Sequence, residues 1–554
     1  MVTVHEIADR YIDDVAALDP IAATAWGLPG NEGRLPDLSP DGLGAVVSLQ
    51  RATLAALDAA PQTVRSERVA ADVMAERLTA DIEQFDAGEH YRSLRVLGGL
   101  HGSLRQVFDL MPLSTEDDWA AAVDRLNAVP AAIESYRHTL AEGVDRGLVS
   151  ARRQVLACAS QCEAWSGNGD FDTSFFAGVT RRYDGDQLAG ALARGAERAA
   201  SAYAAFAGWL RDDYAAAATP IDPVGRDRYR LAARAFNGAD LDLDDTYAWG
   251  WDELRRIEQR IVEVCNRIVP GSTFAEAVAH LESDPARVVE GVDNFLRWNQ
   301  QLIDDTIAAL DGTHFDIAPP LRRCEAMIAP PGGAAAMYYT GPSEDFSRPG
   351  RTWYPTLGKT TFPLWREVSI CYHEGVPGHH LQIAQVMYLA DTLTRFQRLA
   401  GFTSGHGEGW ALYAERLMGE LGFLDDPAYE LGMLSAQAMR AVRVIVDIGM
   451  HLELTIPADE HYHPGERWTP QIALPFVIER SCFPEAFMAS EVDRYLGLPG
   501  QAISYKVGER VWLDARDDAR ARHGSTFDLK DFHRYALDLG GMGLDQLARE
   551  LATY

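Results

Sequence analysis

The chain has 554 residues, with 51 Lys and Arg against 81 Asp and Glu, a formal net charge of −30. That balance excludes a nucleic-acid surface, which needs clustered cations to displace counterions from phosphate, and it disfavours docking on anionic lipid. A hydrophobic share of 47% beside 24% charged residues is that of an ordinary globular chain, which excludes intrinsic disorder, collagen-like repeats and a small disulfide-stapled scaffold.

Cys158, Cys162, Cys265, Cys324, Cys371 and Cys482 form no CxxC pair, and Cys158 and Cys162 stand one helical turn apart, as on a buried helix face. Reduced thiols and a cytoplasmic home are therefore expected. The opening MVTVHEIADRYIDDVAALDP carries neither a basic n-region nor an apolar h-region, so it does not read as a secretory signal. No stretch of about 18 uncharged apolar residues is long enough to span a membrane.

From the start to about residue 310 the pattern is helical. RVAADVMAERLTADIEQFDAG and LAGALARGAERAASAYAAFAGWLRDDYAAAA repeat apolar residues at i, i+3, i+4 and i+7, with Ala, the best helix former, as filler. GLPGNEGRLPDLSPDG near 27–42, SGNGD at 166–170 and ATPIDPVGRDRY at 218–229 mark breaks. Between 314 and 358 Pro and Gly become frequent. The short runs RRCEAMIA, AAMYYT and RTWYPT read there as strands of a small antiparallel sheet walling a cleft. Helical texture resumes from about 362. The expected fold is mainly α: a helical body over 1–310 and a second region with the small sheet over 311–554, which holds the metal-binding and catalytic residues argued for below, joined as one continuous fold.

The chemistry is concentrated in Cys371-Tyr372-His373-Glu374-Gly375-Val376-Pro377-Gly378-His379-His380-Leu381-Gln382. In the zinc-peptidase pattern HExxH, two imidazoles one helical turn apart grip the ion and the intervening Glu serves as general base. Here Pro377 occupies the place of the second His. On a regular helix His379 would lie about 240° round the axis from His373, and His380 would return to the same face but about 10.5 Å further along. Pro377 has no N–H and clashes with the preceding turn, while Gly378 relaxes the backbone. A break there, acting as a two-residue insertion, is expected to swing His379 back to the metal.

A third ligand is expected in Ser404-Gly405-His406-Gly407-Glu408-Gly409-Trp410-Ala411-Leu412-Tyr413-Ala414-Glu415. Glu408 and Glu415 share a helix face, so either can ligate while the other orients a histidine from behind. Two His, one Glu and an open position make the donor set of a catalytic zinc site, which also suits Co²⁺ or Mn²⁺. An isolated His-Glu pair is common by chance; the joint occurrence of HE, GHH and EGWALYAE carries the reading. His461-Tyr462-His463-Pro464 reads as a surface loop, and Cys371 as a core residue.

HEGVPGHHLQ, GEGWALYAERL, RVIVDIGMH and PGQAISYKVG together resemble the bacterial family labelled domain of unknown function 885. That family looks like a member of the zincin clan, similar in fold to helical carboxypeptidases of the thermostable HExxH type and more distantly to thimet-type oligopeptidases and angiotensin-converting-type dipeptidases. The resemblance implies a helical, zincin-like fold. It favours His379 over His380, since Gly378-His379 looks like the GH of the relatives' HExGH pattern. It also matches Glu408 to their downstream glutamate ligand. The two extra residues between Glu374 and Gly378 depart from that pattern.

Two later segments are expected to complete the site. Arg443, Asp447 and His451 recur every four residues, as a polar wall holding substrate or as a solvated charge stripe. In Pro499-Gly500-Gln501-Ala502-Ile503-Ser504-Tyr505-Lys506, Tyr505 is expected to donate to an oxyanion, as a tyrosine does in related peptidases, with Gln501 beside it. Lys506 or Arg443 is expected to pair with a substrate carboxylate, and AAMYYT to align substrate as an added strand. The resulting expectation is a zinc metallopeptidase acting near chain ends. His373, His379 and Glu408 would hold one Zn²⁺, Glu374 would be general base, and Arg443, His451, Gln501 and Lys506 would contact a peptide or small amide. The alternatives are a metallohydrolase of another amide and a non-catalytic helical binding protein that keeps the fold. Assembly into a homo-oligomer is left open.

Overall fold

Residues 2–329 and 336–554 are described by the computed structural model. They divide into two compact units, one formed by Met1–Glu67, Arg77–Val224 and Asp493–Leu498, the other by Arg68–Glu76, Gly225–Val492 and Pro499–Tyr554.

The first unit is helical. Its 30-residue helix Glu116–Asp145 opens on a capping box in which Thr115 accepts from the Asp118 N–H and Asp118 accepts from the Thr115 N–H at 2.9 Å. Three acidic residues in that first turn also oppose the positive end of the helix dipole. Trp119, Leu126, Ile133 and Tyr136 form the buried face, closing on Val155, Cys158 and Cys162 of helix Arg152–Ser166 and on Tyr203 and Phe206 of helix Ala189–Trp209. Burial pushes the Cys158 thiol up to about 12, so this cysteine pair packs as apolar core. Helices end at Trp26, Ser166 and Ala217, where the turn chemistry places breaks.

The main stretch of the second unit runs from Gly225. Within it helix Val292–Leu310 lies against helix Glu367–Glu374, and helix Leu243–Ile268 lies along helix Pro427–His451. A Cβ on Gly250 would meet the Val444 side chain at 2.9 Å, so glycine sets that close approach.

The three short runs of the Pro/Gly-rich stretch are strands Cys324–Ile328, Tyr338–Thr340 and Gly350–Tyr354, but the sheet they make is mixed rather than antiparallel. Gly350–Tyr354 takes the middle position, antiparallel to Tyr338–Thr340 and parallel to Cys324–Ile328. A third strand that inserts between the first two must have opposite senses relative to them when they run antiparallel to one another. Ala335 of the AAMYYT run lies outside the described residues. A second ribbon pairs Val288–Glu290 with Thr361–Pro363; three-residue strands are too short to register as alternation, and the sequence reading missed them.

Helices Ser404–Glu420 and Ser504–His523 meet at backbone contact. A Cβ on Gly508 would lie 1.9 Å from the Gly405 carbonyl oxygen, and one on Gly409 would lie 2.4 Å from Gly508. These glycines of the GHGEG and YKVG segments let the helix bearing Glu408 and the helix bearing Tyr505 approach this closely.

Candidate metal centre

His373 and Glu374 end helix Glu367–Glu374, whose buried residues include Val368, Cys371 and Tyr372. The Gly375 N–H closes the last turn on the Cys371 carbonyl at 2.9 Å, and the chain then leaves the helix. Residues 375–378 form a tight connection across a cis Val376-Pro377 bond. The Gly378 N–H donates back to the Tyr372 carbonyl at 3.0 Å. The Trp410 indole holds the Pro377 carbonyl at 2.8 Å. A Cβ on Gly378 would stand 2.0 Å from the His373 carbonyl oxygen and 2.4 Å from that of Tyr372, so only glycine fits. The next helix starts at His379. The break therefore spans Gly375 to Gly378, wider than the Pro377-Gly378 step expected.

The consequence is convergence. The His373 and His379 rings lie 4.8 Å apart at 85°. The Nε2 atoms of both are 3.4 Å from Glu408 Oε2, and one donor atom from each of the three residues falls within 4.8 Å of the others. Glu408 Oε2 and His379 Nδ1 are buried without a hydrogen-bond partner. A buried carboxylate oxygen facing two imidazole nitrogens beyond good hydrogen-bond length is costly unless a cation sits among them. This donor set, His₂Glu, fits a divalent metal of the zinc type.

His373 is aimed from behind. Its Nδ1 contacts Glu415 Oε1 at 2.7 Å, and with Nδ1 protonated toward that carboxylate the Nε2 lone pair points to the cluster. Glu415 is fully buried and also accepts from Ser369 Oγ, with Arg440 Nη2 3.7 Å away. Burial would raise the Glu415 carboxyl, but Arg440, His373 and Ser369 outweigh it and hold it below the usual carboxylate range. Burial likewise opposes charge on His373, yet the carboxylates of Glu408 and Glu415 outweigh it and bring it up to about 9 while no cation competes for Nε2. Glu415→Gln is expected to weaken zinc binding about 10- to 100-fold with little change in fold, measured by competition with a chelating dye.

His380 faces elsewhere. Its Nδ1 meets the Tyr339 hydroxyl at 3.0 Å and its Nε2 the Leu321 carbonyl at 2.8 Å, so neither nitrogen is available to the cluster. Burial drops its pKa to about 4.

The cluster opens on a cavity of about 500 Å³, lined by Glu374, His379, Glu408, Arg440, Arg443 and Tyr505 among others. Among the described residues no protein donor engages the Glu374 carboxylate, which is 8% exposed within this cavity. The Tyr505 ring stacks near-parallel to His373 at 6.4 Å, with the Arg443 guanidinium 4.6 Å from its centroid. Aromatic walls come from Phe295, Phe362, Trp365, Phe402, Phe483 and Phe487. Phe402 and Leu357 are 56% and 68% exposed, which puts apolar surface on the rim where an extended ligand would cover it. Tyr338 and Tyr339 of the sheet's edge strand also line the cavity.

Three expected substrate contacts are not brought to this cavity. Lys506 is fully buried, donating to Glu253 and Gln437, both at 2.7 Å, and to Glu509. It ties three helices together, and burial of Glu253 is outweighed by Lys506 and Arg256, which pull that carboxyl down to about 2. His451 is fully buried, 3.6 Å from Asp447 and tilted against Tyr229. Gln501 donates to Ser404 Oγ at 3.3 Å. Arg443 does reach the cavity, but Glu491 pairs with it at 2.6 Å. Sequence reasoning missed Arg440, one turn before Arg443, as well as Ser369 and Arg366; the three-residue spacing of the two arginines was the available signal.

The fold and site define a predominantly helical protein with one His–His–Glu cluster, among the described residues, its histidines buried and its glutamate partly so, at the base of an aromatic cavity. The chain belongs to the family described as "Bacterial protein of unknown function (DUF885)", which matches residues 20–551. Two solved structures share the fold. One, "the putative lipoprotein from Colwellia psychrerythraea", has a TM-score of 0.86 at 21% identity, covering 100% of this chain and 99% of that one. The other, a "putative lipoprotein of unknown function from Shewanella oneidensis", has a TM-score of 0.75 at 16% identity, covering 99% of each chain. No curated protein matches the chain. No helix among the described residues is long and apolar enough to cross a membrane.

Proposed function

We propose that this protein is a zincin-like, metal-dependent peptidase that hydrolyses amide bonds near a chain end. The observation that carries the reading is the meeting of His373 Nε2, His379 Nε2 and a hydrogen-bond-orphaned Glu408 Oε2 at the base of a cavity, with Glu415 fixing the His373 tautomer. His373, His379 and Glu408 would hold the ion, Zn²⁺ in preference and Co²⁺ or Mn²⁺ as substitutes. When bound, it supplies Lewis acidity that acidifies water and polarises a carbonyl. Glu374, adjoining the cluster, takes the proton of the attacking water and delivers it to the leaving amine. Tyr505 donates its phenol to the developing oxyanion. The aromatic walls exclude water and bind apolar side chains, and the edge strand Tyr338–Thr340 offers backbone groups along which a peptide can lie extended.

Metal analysis tests the centre. Purified wild-type protein and His380→Ala should each carry about one equivalent of tightly held divalent metal, and His379→Ala should carry little. Equal metal in His379→Ala and wild type, or none in either, would overturn the assignment and leave a helical binding shell as the better reading. Peptide libraries with free and blocked ends separate a peptidase from a hydrolase of small acyl amides, since only the former gains from added residues.

A further inference from the structure

Resting on that reading, the geometry points to Arg366, set between Trp365 and Phe483 on the cavity wall, as the anchor for the C-terminal carboxylate of a peptide substrate whose last residues are apolar.

Three arginines line the cavity. Arg443 is matched by Glu491 at 2.6 Å, and Arg440 has Glu415 at 3.7 Å. Arg366 has no carboxylate at ion-pairing distance among the described residues. It donates from Nη2 to the Cys482 carbonyl at 2.6 Å, and its Nε is buried with no partner. The contrast with the fully buried Arg125 is instructive. There the guanidinium donates to the Arg34 carbonyl at 3.0 Å, the Asn31 carbonyl at 2.9 Å and Thr24 Oγ1 at 2.9 Å; Nη1 alone lacks a partner, and it reads as a structural arginine. Arg366 has one such acceptor and an open cavity.

A guanidinium taken out of water without a counter-ion costs free energy that the fold does not recover. Its planar fork of donors matches a carboxylate in a bidentate pair. Arg366 also lies over two rings, with its guanidinium carbon 4.2 Å from the Trp365 ring centroid and 4.6 Å from that of Phe483. Stacking of this kind fixes orientation before a ligand arrives. The nearby acidic groups attract Arg366 but form no contact pair with it among the described residues. Glu282 accepts from the Trp365 indole at 3.0 Å. Burial of Glu367 outweighs the attraction of Lys359 and Arg366 and raises it to about 7, so near neutrality it carries only part of a charge, and it forms no contact ion pair with Arg366.

Placement agrees. Arg366 immediately precedes the helix that ends in His373 and Glu374, seven residues from the first metal-site histidine. At 1.5 Å per residue this is about 10.5 Å along the axis, a span that a short extended peptide bridges. Phe483 and Phe487 lie on the same cavity wall, and apolar side chains next to the terminal carboxylate would pack there.

The test uses metal-loaded Glu374→Gln protein, which binds without turnover, and two probes, N-acetyl-Gly-Phe-Phe with a free carboxylate and the same peptide as its amide. Calorimetry should give at least tenfold tighter binding of the free acid. Adding Arg366→Met should erase that difference while metal content stays at one equivalent. Arg366→Lys should retain part of it. The Arg366→Met protein should melt no lower than its parent, since the half-buried guanidinium has no carboxylate at ion-pairing distance to lose. Equal binding of acid and amide by the parent, discrimination that survives Arg366→Met, or lowered melting of Arg366→Met would each overturn the anchor. Failure of the peptidase reading has a separate signature: no cleavage of either probe by wild type, with the acid-over-amide binding preference still lost on replacing Arg366.

Discussion

Glu374→Gln should leave the protein folded and fully metallated while lowering peptide turnover by about 100- to 10,000-fold, the usual contribution of a positioned general base. The expectation follows from what surrounds the residue. His373, the neighbour in sequence, is committed on both nitrogens, to Glu415 and to the Glu408 side of the cluster. Glu374 faces the cavity and, among the described residues, is engaged by no protein donor. Glutamine keeps the shape and removes the basicity. The check is paired: metal stoichiometry by plasma emission, and steady-state cleavage of a chain-end peptide. Cleavage at wild-type rate by the metallated variant would remove Glu374 from the chemistry.

Gly378→Ala should be the most damaging single-methyl change at the site. The added carbon would fall 2.0 Å from the His373 carbonyl oxygen and 2.4 Å from that of Tyr372. Both neighbours are backbone, so no flexible side chain can yield. Overpacking of this kind costs about 1–3 kcal/mol. The only relief is to draw the start of the His379 helix away from the end of the His373 helix, which separates the two imidazoles. Zinc affinity is therefore expected to fall at least about tenfold, beyond what the stability loss explains. Denaturant unfolding of the metal-free protein and zinc titration of the folded protein separate the two effects. Gly375→Ala, whose closest obstacle is the Cys371 carbonyl at 2.7 Å, should be milder on both.

How far the sequence could be read depended on whether a residue's role is local. The helical character of the chain was legible because Ala-rich amphipathic periodicity is a property of neighbouring residues. The interruption after Glu374 was legible for the same reason, since a proline flanked by glycines strongly disfavours a continuing helix. Its extent was not, because residues 375–378 are held by Trp410, a hydrogen bond from a distant helix. Glu408 and Glu415 could not be told apart by period, standing seven residues apart on one face. They are told apart by the two nitrogens of one imidazole: Glu408 lies on the Nε2 side of His373 and Glu415 on the Nδ1 side.

The polar stripe of Arg443, Asp447 and His451 misled for a related reason. Helix Pro427–His451 is buried from Leu434 to His451 on every side, so a shared face does not imply a shared solvent cavity. Asp447 turns to Tyr229 and the Gly500 N–H, at 2.8 and 2.9 Å, while Met439, Arg440 and Arg443 reach the cleft. Lys506 and Tyr505 are adjacent, yet one ties three helices in the interior and the other lines the cavity.

By itself the sequence determined a predominantly helical chain, a broken helix bearing His373, Glu374 and His379, and family membership, because each resides in contiguous residues. Only the tertiary structure decided which carboxylate faces the two imidazoles, that His380 is occupied, that Lys506, His451 and Gln501 sit outside the cavity, and that Arg366 and Arg440 line it. Those outcomes depend on how helices far apart in the chain pack, and packing is set by side-chain volume and hydrogen-bond satisfaction across the interior, which no local pattern encodes.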